Sequence, residues 1–174
     1  MLASMDVAEL QLALGGVVLE AAYLERILRA AFSALLGSKY AAVIDGRLTV
    51  SSLIEDCEQI IKHSTGLPES AKEALRTALR ACHEANRARN RVIHDTWATR
   101  PGDVMVRLQG SRKSHEITVT VRTPAEVYQL ADQVAQAAED LKAAMTAAFG
   151  PDWVRIEDQL RQELGHDITA DPGS

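Results

Sequence analysis

The residues Arg87-Ala88-Arg89-Asn90-Arg91-Val92-Ile93-His94-Asp95-Thr96-Trp97 are the stretch whose types and spacing can do chemistry. They close a long helical pattern with Leu75, Leu79, Cys82, Ile93 and Trp97 as its apolar stripe. At about 100° per residue, Asn86 and Arg89 fall inside that stripe and Asn90 on its edge. His94 stands one turn beyond Asn90 on the same side, because i and i+4 are neighbours on a helix. An unpaired polar group away from water costs roughly 1–3 kcal/mol, and a charge costs more. Arg89 therefore either pairs with an acid of another helix or opens onto a groove that receives an anion. Glu20 and Glu25 are the candidate acids. A guanidinium suits phosphate because its planar fork grips two oxygens and stays charged. An imidazole suits proton transfer because it titrates near neutrality.

The order Arg89-Asn90, three residues, His94 resembles the Arg-x4-6-His motif of HEPN domains, with the polar residue that family often carries after the arginine. The resemblance spans roughly residues 5 to 150, and its specific part is the motif. It implies RNA cleavage without a metal or other cofactor, by attack of a 2′-hydroxyl on the adjacent phosphate. His94 would transfer the proton, Arg89 would stabilise charge on the phosphorane, and Asn90 would orient phosphate or imidazole. Asn86, Arg87 and Arg91 on the same stretch are candidate substrate contacts. The resemblance also implies a homodimer, since one imidazole does not readily serve as acid and base at once while two across a twofold axis can. A toxin or defence effector, with a protein antitoxin or regulator as partner, belongs to the same expectation. In one toxin branch a tyrosine follows the histidine two positions later; here that residue is Thr96. The alternative is a non-catalytic helical protein that binds RNA or a protein partner through the same surface.

Composition bounds these readings. A chain of 174 residues is long enough for one domain with a sizeable core. Its apolar residues are mostly Ala and Leu, which favours helices packed closely through small side chains. A net charge of −5 gives no global attraction to nucleic acid. Between Pro68 and Arg100, however, Lys72, Arg76, Arg80, Arg87, Arg89, Arg91 and Arg100 outnumber Glu69, Glu73, Glu84 and Asp95. That is either a basic face for a nucleic acid or a solvated helix with Glu69 and Glu73 paired to Lys72 and Arg76. Cys57 and Cys82 occupy core-like positions without a C-x-x-C motif, as reduced buried thiols would. The longest uncharged run near the start, Leu10 to Leu19, is too short to span a bilayer, and a cytoplasmic protein is expected.

The elements that must position the motif are mainly α-helical: a four-to-five-helix up-down bundle with a β-hairpin inserted before the last long helix. Helix one is expected over about 5–36, with Asp6 as a cap or first-turn acid. Gly15-Gly16 inside it weakens the helix and lets another backbone come close. A connector to Val50 has room for a short turn at Tyr40–Ile44. Ser52-x-x-Glu55 is a capping box for helix two, ending near His63. Helix three runs from Pro68 to about Ala98. Alternating Val104, Val106, Leu108 and Ile117, Val119, Val121 predict the hairpin at about 103–122, with Arg112, Lys113 and His115 at its tip. Thr123-Pro124-Ala125-Glu126 caps helix four, which ends near Phe149. A short amphipathic helix at 151–165, bearing Trp153, Ile156, Leu160 and Leu164, covers the bundle or a partner, and 166–174 is a loose tail. A di-iron bundle lacks its paired Glu-x-x-His motifs, and Gly15-Gly16 lacks the Lys-Ser/Thr of a phosphate loop.

Overall fold

Three long helices, each more than six turns by its length, carry most of the described residues. The computed structural model describes residues 7–38, 40–94, 96–100, 104–110, 117–121 and 123–155, and these are mainly helical. Helix α1 is Val7–Leu36, a short α2 is Ala41–Asp45, α3 is Val50–His63, α4 is Glu69–Ile93 and α5 is Pro124–Phe149. Strands β1 (Thr96–Arg100), β2 (Val104–Gly110) and β3 (Ile117–Val121) lie between α4 and α5 in the order β1-β2-β3. Both pairings are antiparallel: Thr96 faces Leu108, and Val106 faces both Ala98 and Val121. Asp6, the tip residues Arg112, Lys113 and His115, and everything expected beyond Arg155 lie outside the described residues.

Local signals account for several helix ends. Gly37 (φ 61°) and Gly150 (φ 83°) stop α1 and α5 in the left-handed region that glycine reaches without a Cβ penalty. Their N–H groups return to Ser33 O (3.0 Å) and Thr146 O (2.9 Å), satisfying carbonyls of the last turn. The start of α3 corrects the sequence reading. Its N-cap is Thr49, whose Oγ1 accepts from Ser52 N at 3.2 Å, so Ser52 is the third residue inside the helix rather than the cap. At α5 the expected box is present: Thr123 N donates to Glu126 Oε2 (2.8 Å) and Glu126 N donates to Thr123 Oγ1 (3.3 Å).

The end of α4 is the second correction. The apolar period carries the helix to Ala98, but the helix stops at Ile93 and Thr96–Arg100 is a strand. Thr96, Trp97 and Thr99 are β-branched or aromatic residues, which suit a pleated strand better than a helix. Pro101 also biases Arg100 toward extended backbone.

The chain divides into two compact units. One comprises Met1–Ala22 and Ala85–Ala135, the other Tyr23–Glu84 and Gln136–Ser174. The first buries Leu10, Ala13 and Val17 of α1, Ala85 and Val92 of α4, and Val127, Leu130 and Val134 of α5. Gly16 faces α5, where a Cβ built on it would lie 3.9 Å from Ala131 Cβ, and a Cβ on Gly15 would meet nothing within 4 Å. Among the described residues, no backbone outside α1 comes within 4 Å of a Cβ built on either glycine. The second unit buries Leu24, Ile27, Leu28, Leu53, Ile54, Ile61, Leu75, Leu79, Leu141 and Met145 around alanines such as Ala30, Ala31 and Ala138. Small residues of this kind let helix axes come near one another. Trp153 is buried here, and its indole Nε1 donates to Thr146 Oγ1 at 3.0 Å, anchoring the chain after Gly150 on α5.

Candidate functional site

Asn86, Arg87, Arg89, Asn90, Arg91 and His94 all belong to the first unit, on the last two turns of α4 and the residue just past it. The helix presents them at different depths. Asn86 is buried (6 % exposed), Arg89 and Asn90 are half-buried, and Arg87, Arg91 and His94 are exposed. Asn86 and Arg89 share the buried side because they are three residues apart and follow the line of Leu75, Leu79 and Cys82. Towards the end of that line Val92, not Ile93, is the buried aliphatic residue.

Arg89 and Asn90 form one unit. Arg89 Nη1 donates to Asn90 Oδ1 at 2.8 Å. That fixes the carboxamide flip, with the oxygen toward the guanidinium and the NH2 free to donate elsewhere. The guanidinium has five N–H donors and spends one of them here. Its Nε is buried without a hydrogen-bond partner among the described residues. Arg89 takes neither Glu20 nor Glu25 as an acid partner among the described residues, and Glu25 is held by Arg29 at 2.6 Å.

His94 follows α4 directly, and its N–H still closes a helical turn onto Asn90 O at 3.1 Å. Asn90 and His94 are therefore neighbours on one side. Arg89 and His94, five residues apart, point about 140° away from each other around the axis, with Asn90 between them. One chain thus offers an imidazole one helical turn from a carboxamide and a guanidinium bound to that same carboxamide. Such a set can polarise a phosphate through Arg89 and move a proton through His94, provided that substrate spans the end of the helix.

The remaining basic residues of α4 divide at Arg87. Ahead of it, in the second unit, Arg76 meets Glu69 (3.1 Å) and Glu73 (3.7 Å), Arg80 meets Glu73 (3.3 Å) and Lys72 meets Glu69 (3.5 Å). The Arg76 hydrogen bond, followed by the charge of Lys72, holds the Glu69 carboxyl below its ordinary value. Lys72, Arg76 and Arg80 thus share Glu69 and Glu73 along one helix face, in i,i+3 and i,i+7 pairs.

A feature that the sequence reading missed lies on the other flank of the same turns. Ala88, Arg91 and Val92 of α4 and Glu126, Val127, Gln129, Leu130 and Gln133 of α5 line a groove of about 250 Å³ within the first unit. Its floor is the buried Val92, Val127 and Leu130, and its rim is the exposed Arg91, Glu126, Gln129 and Gln133. The only signal for it in the sequence is the polar i, i+3, i+7 spacing of Glu126, Gln129 and Gln133 beside an apolar helix face.

Among the described residues no three His, Cys, Asp or Glu side chains gather as a metal site, and no helix is long and apolar enough to cross a membrane. Compared with models of known protein families, with curated proteins and with solved structures, the chain matches none.

Proposed function

We propose that the chain is a metal-independent endoribonuclease of the HEPN type, acting as a toxin or defence effector in the cytoplasm. The observation that carries the reading is the Arg89–Asn90 hydrogen bond of 2.8 Å with His94 one turn further on, at an exposed helix end. In the proposed reaction the substrate's 2′-hydroxyl loses its proton and attacks the adjacent phosphorus, and the P–O5′ bond breaks. The 5′-oxygen takes up a proton, leaving a 2′,3′-cyclic phosphate and a 5′-hydroxyl. His94 moves the proton, Arg89 holds the non-bridging oxygens, Asn90 orients both, and Asn86, Arg87 and Arg91 contact the flanking strand. The helices form an up-down bundle that carries the hairpin ahead of α5.

The chain acts as a homodimer in this reading, each copy supplying one His94, and an antitoxin or regulator is its protein partner. An apolar stripe on α1 supports a second copy. Ala8, Leu12, Gly15, Leu19 and Ala22 are exposed at alternating four- and three-residue spacing, Leu12 at 70 % and Leu19 at 72 %.

The half-buried position of Arg89 and its bond to Asn90 also suit the alternative, a non-catalytic protein that binds RNA or a protein partner here. Cleavage of labelled RNA in EDTA by wild type, His94→Ala and Arg89→Ala separates the two. Cleavage by wild type alone, with a cyclic phosphate end, is the expected result. Equal RNA binding by all three proteins without any cleavage would leave the non-catalytic reading.

A further inference from the structure

We infer that the groove between α4 and α5 is a nucleobase subsite with a preference for guanine, an inference that rests on the ribonuclease reading and deepens it. The size, the lining and the position of the groove each bear on its occupant. About 250 Å³ admits a purine with room for bound water and excludes a folded peptide element. The floor of Val92, Val127 and Leu130 offers flat apolar contact to a ring, as pockets that take a single base do.

The rim decides the chemistry. It carries one carboxylate, one guanidinium and two carboxamides: Glu126, Arg91, Gln129 and Gln133. Glu126 is held in place by its Oε2, which accepts from Thr123 N at 2.8 Å, so Oε1 stays open to a donor. A bare anion in the groove meets this fixed carboxylate. A lysine or arginine side chain of a peptide meets Arg91. A neutral ring with donors on one edge and acceptors on the other meets neither penalty. Guanine has that pattern, with N1–H and N2–H₂ for a carboxylate and O6 and N7 for a guanidinium, the pairing arginine makes most often with a base.

The position ties the groove to the motif. Ala88 and Val92 lie two residues either side of Asn90 and so about 160° around α4 from it. Arg89 sits between the two flanks, one turn before Val92 and hydrogen-bonded to Asn90. On the solvent side the exposed Arg91 lies between the groove and Asn90, so a strand that crosses Arg91 can place a base in the groove on one side and its 2′-hydroxyl toward Asn90 and His94 on the other.

The test uses the full chain in EDTA, with the four ribonucleoside 5′-monophosphates and ribose 5-phosphate as ligands, followed by NMR titration. Guanosine monophosphate is expected to bind at least about tenfold tighter than the other three and than ribose 5-phosphate, one well-made base pairing being worth that factor. Ala88→Leu, which fills the groove with a good helix former, and Glu126→Gln, which keeps the cap and removes the charge, should each abolish the preference. Thermal melts report whether the variants are folded. Equal binding of all ligands, a preference that survives Ala88→Leu in a folded protein, or selective capture of a cationic peptide by the groove overturns the inference. RNA cleavage is scored separately. Cleavage without base preference sinks the subsite alone, and guanosine binding without cleavage sinks the nuclease reading alone.

Discussion

Arg89 and Asn90 are joined side chain to side chain, Nη1 to Oδ1 at 2.8 Å, while Arg89 Nε is buried with no partner among the described residues. A cation held this way contributes little to folding. A buried unsatisfied donor carries a desolvation cost that an apolar replacement of similar length removes. Arg89→Met should therefore leave the melting temperature unchanged or raise it, while RNA cleavage falls about a hundredfold or more, as for loss of one transition-state donor. Parallel melting curves and cleavage rates check this. Loss of stability together with activity would make Arg89 a structural residue.

The same bond predicts the effect of Asn90→Asp. A carboxylate at this position still accepts from Arg89 and binds it more tightly, but it neutralises the charge meant for phosphate. Stability should hold or rise, and cleavage should drop by at least about tenfold in the same assay. Faster cleavage would show that Asn90 does not act by leaving the guanidinium available.

The cap of α3 gives a prediction independent of function. Thr49 Oγ1 accepts from Ser52 N, and Thr49 O accepts from Leu53 N at 2.9 Å. Thr49→Ala should cost about 1 kcal/mol in a denaturant titration. Ser52→Ala, which removes only the hydroxyl contact of 3.0 Å with Thr49, should cost less. The reverse order would restore Ser52 as the cap.

These two residues illustrate what the sequence disclosed and where it stopped. Both Thr49 and Ser52 are cap-forming types three positions apart, and the Glu55 that completed a box with Ser52 drew the boundary inward. Helical periodicity located Leu75, Leu79 and Cys82 correctly, because each lies mid-helix where one stripe dominates. It failed past Ile93, where a residue in phase with the stripe, Trp97, belongs to a strand. Arg89 was recognisable as a polar residue in an apolar line. Its partner Asn90 was not, since sequence neighbours about 100° apart on a helix are not expected to meet. The groove was illegible because five of its eight lining residues come from α5, more than thirty residues downstream, and nothing local marks Gln129 and Gln133 as facing Ala88.

Gly15 and Gly16 offer a gain in stability. Both lie within α1. Among the described residues a methyl group at Gly15 meets nothing within 4 Å, and one at Gly16 makes an ordinary 3.9 Å contact with Ala131. Gly15→Ala and Gly16→Ala should each stabilise the protein by up to about 1 kcal/mol through the lower backbone entropy of the unfolded chain. A rise of a few degrees in melting temperature, about 2–4 °C per kcal/mol at this chain length, is the readout. A fall for Gly16→Ala would mean that α1 and α5 cannot admit the methyl group.

Cys57 and Cys82 should contribute to the loss of stability at alkaline pH. Burial, followed by the nearby charge of Asp56, pushes the Cys57 thiol up to about 12 from 9.0. Burial, followed by Asp140, does the same for Cys82, whose Sγ also lies 3.5 Å from Ala137 O. A thiol whose folded value is raised stays neutral in the folded protein while the unfolded chain ionises first. Its contribution is fully present below the unfolded value of 9.0 and is lost as pH rises from there toward about 12. Melting temperature should therefore be flat with respect to this pair from pH 7 to 8 and fall above pH 9, both limits being approximate. The double replacement of Cys57 and Cys82 by Ala lowers stability at neutral pH by opening the core, but it should reduce the alkaline slope. A thiol reagent at pH 8 should likewise leave both cysteines unmodified until denaturant is added. Rapid labelling of the folded protein, or an unchanged alkaline slope in the double variant, would show that the buried thiols do not contribute to this loss.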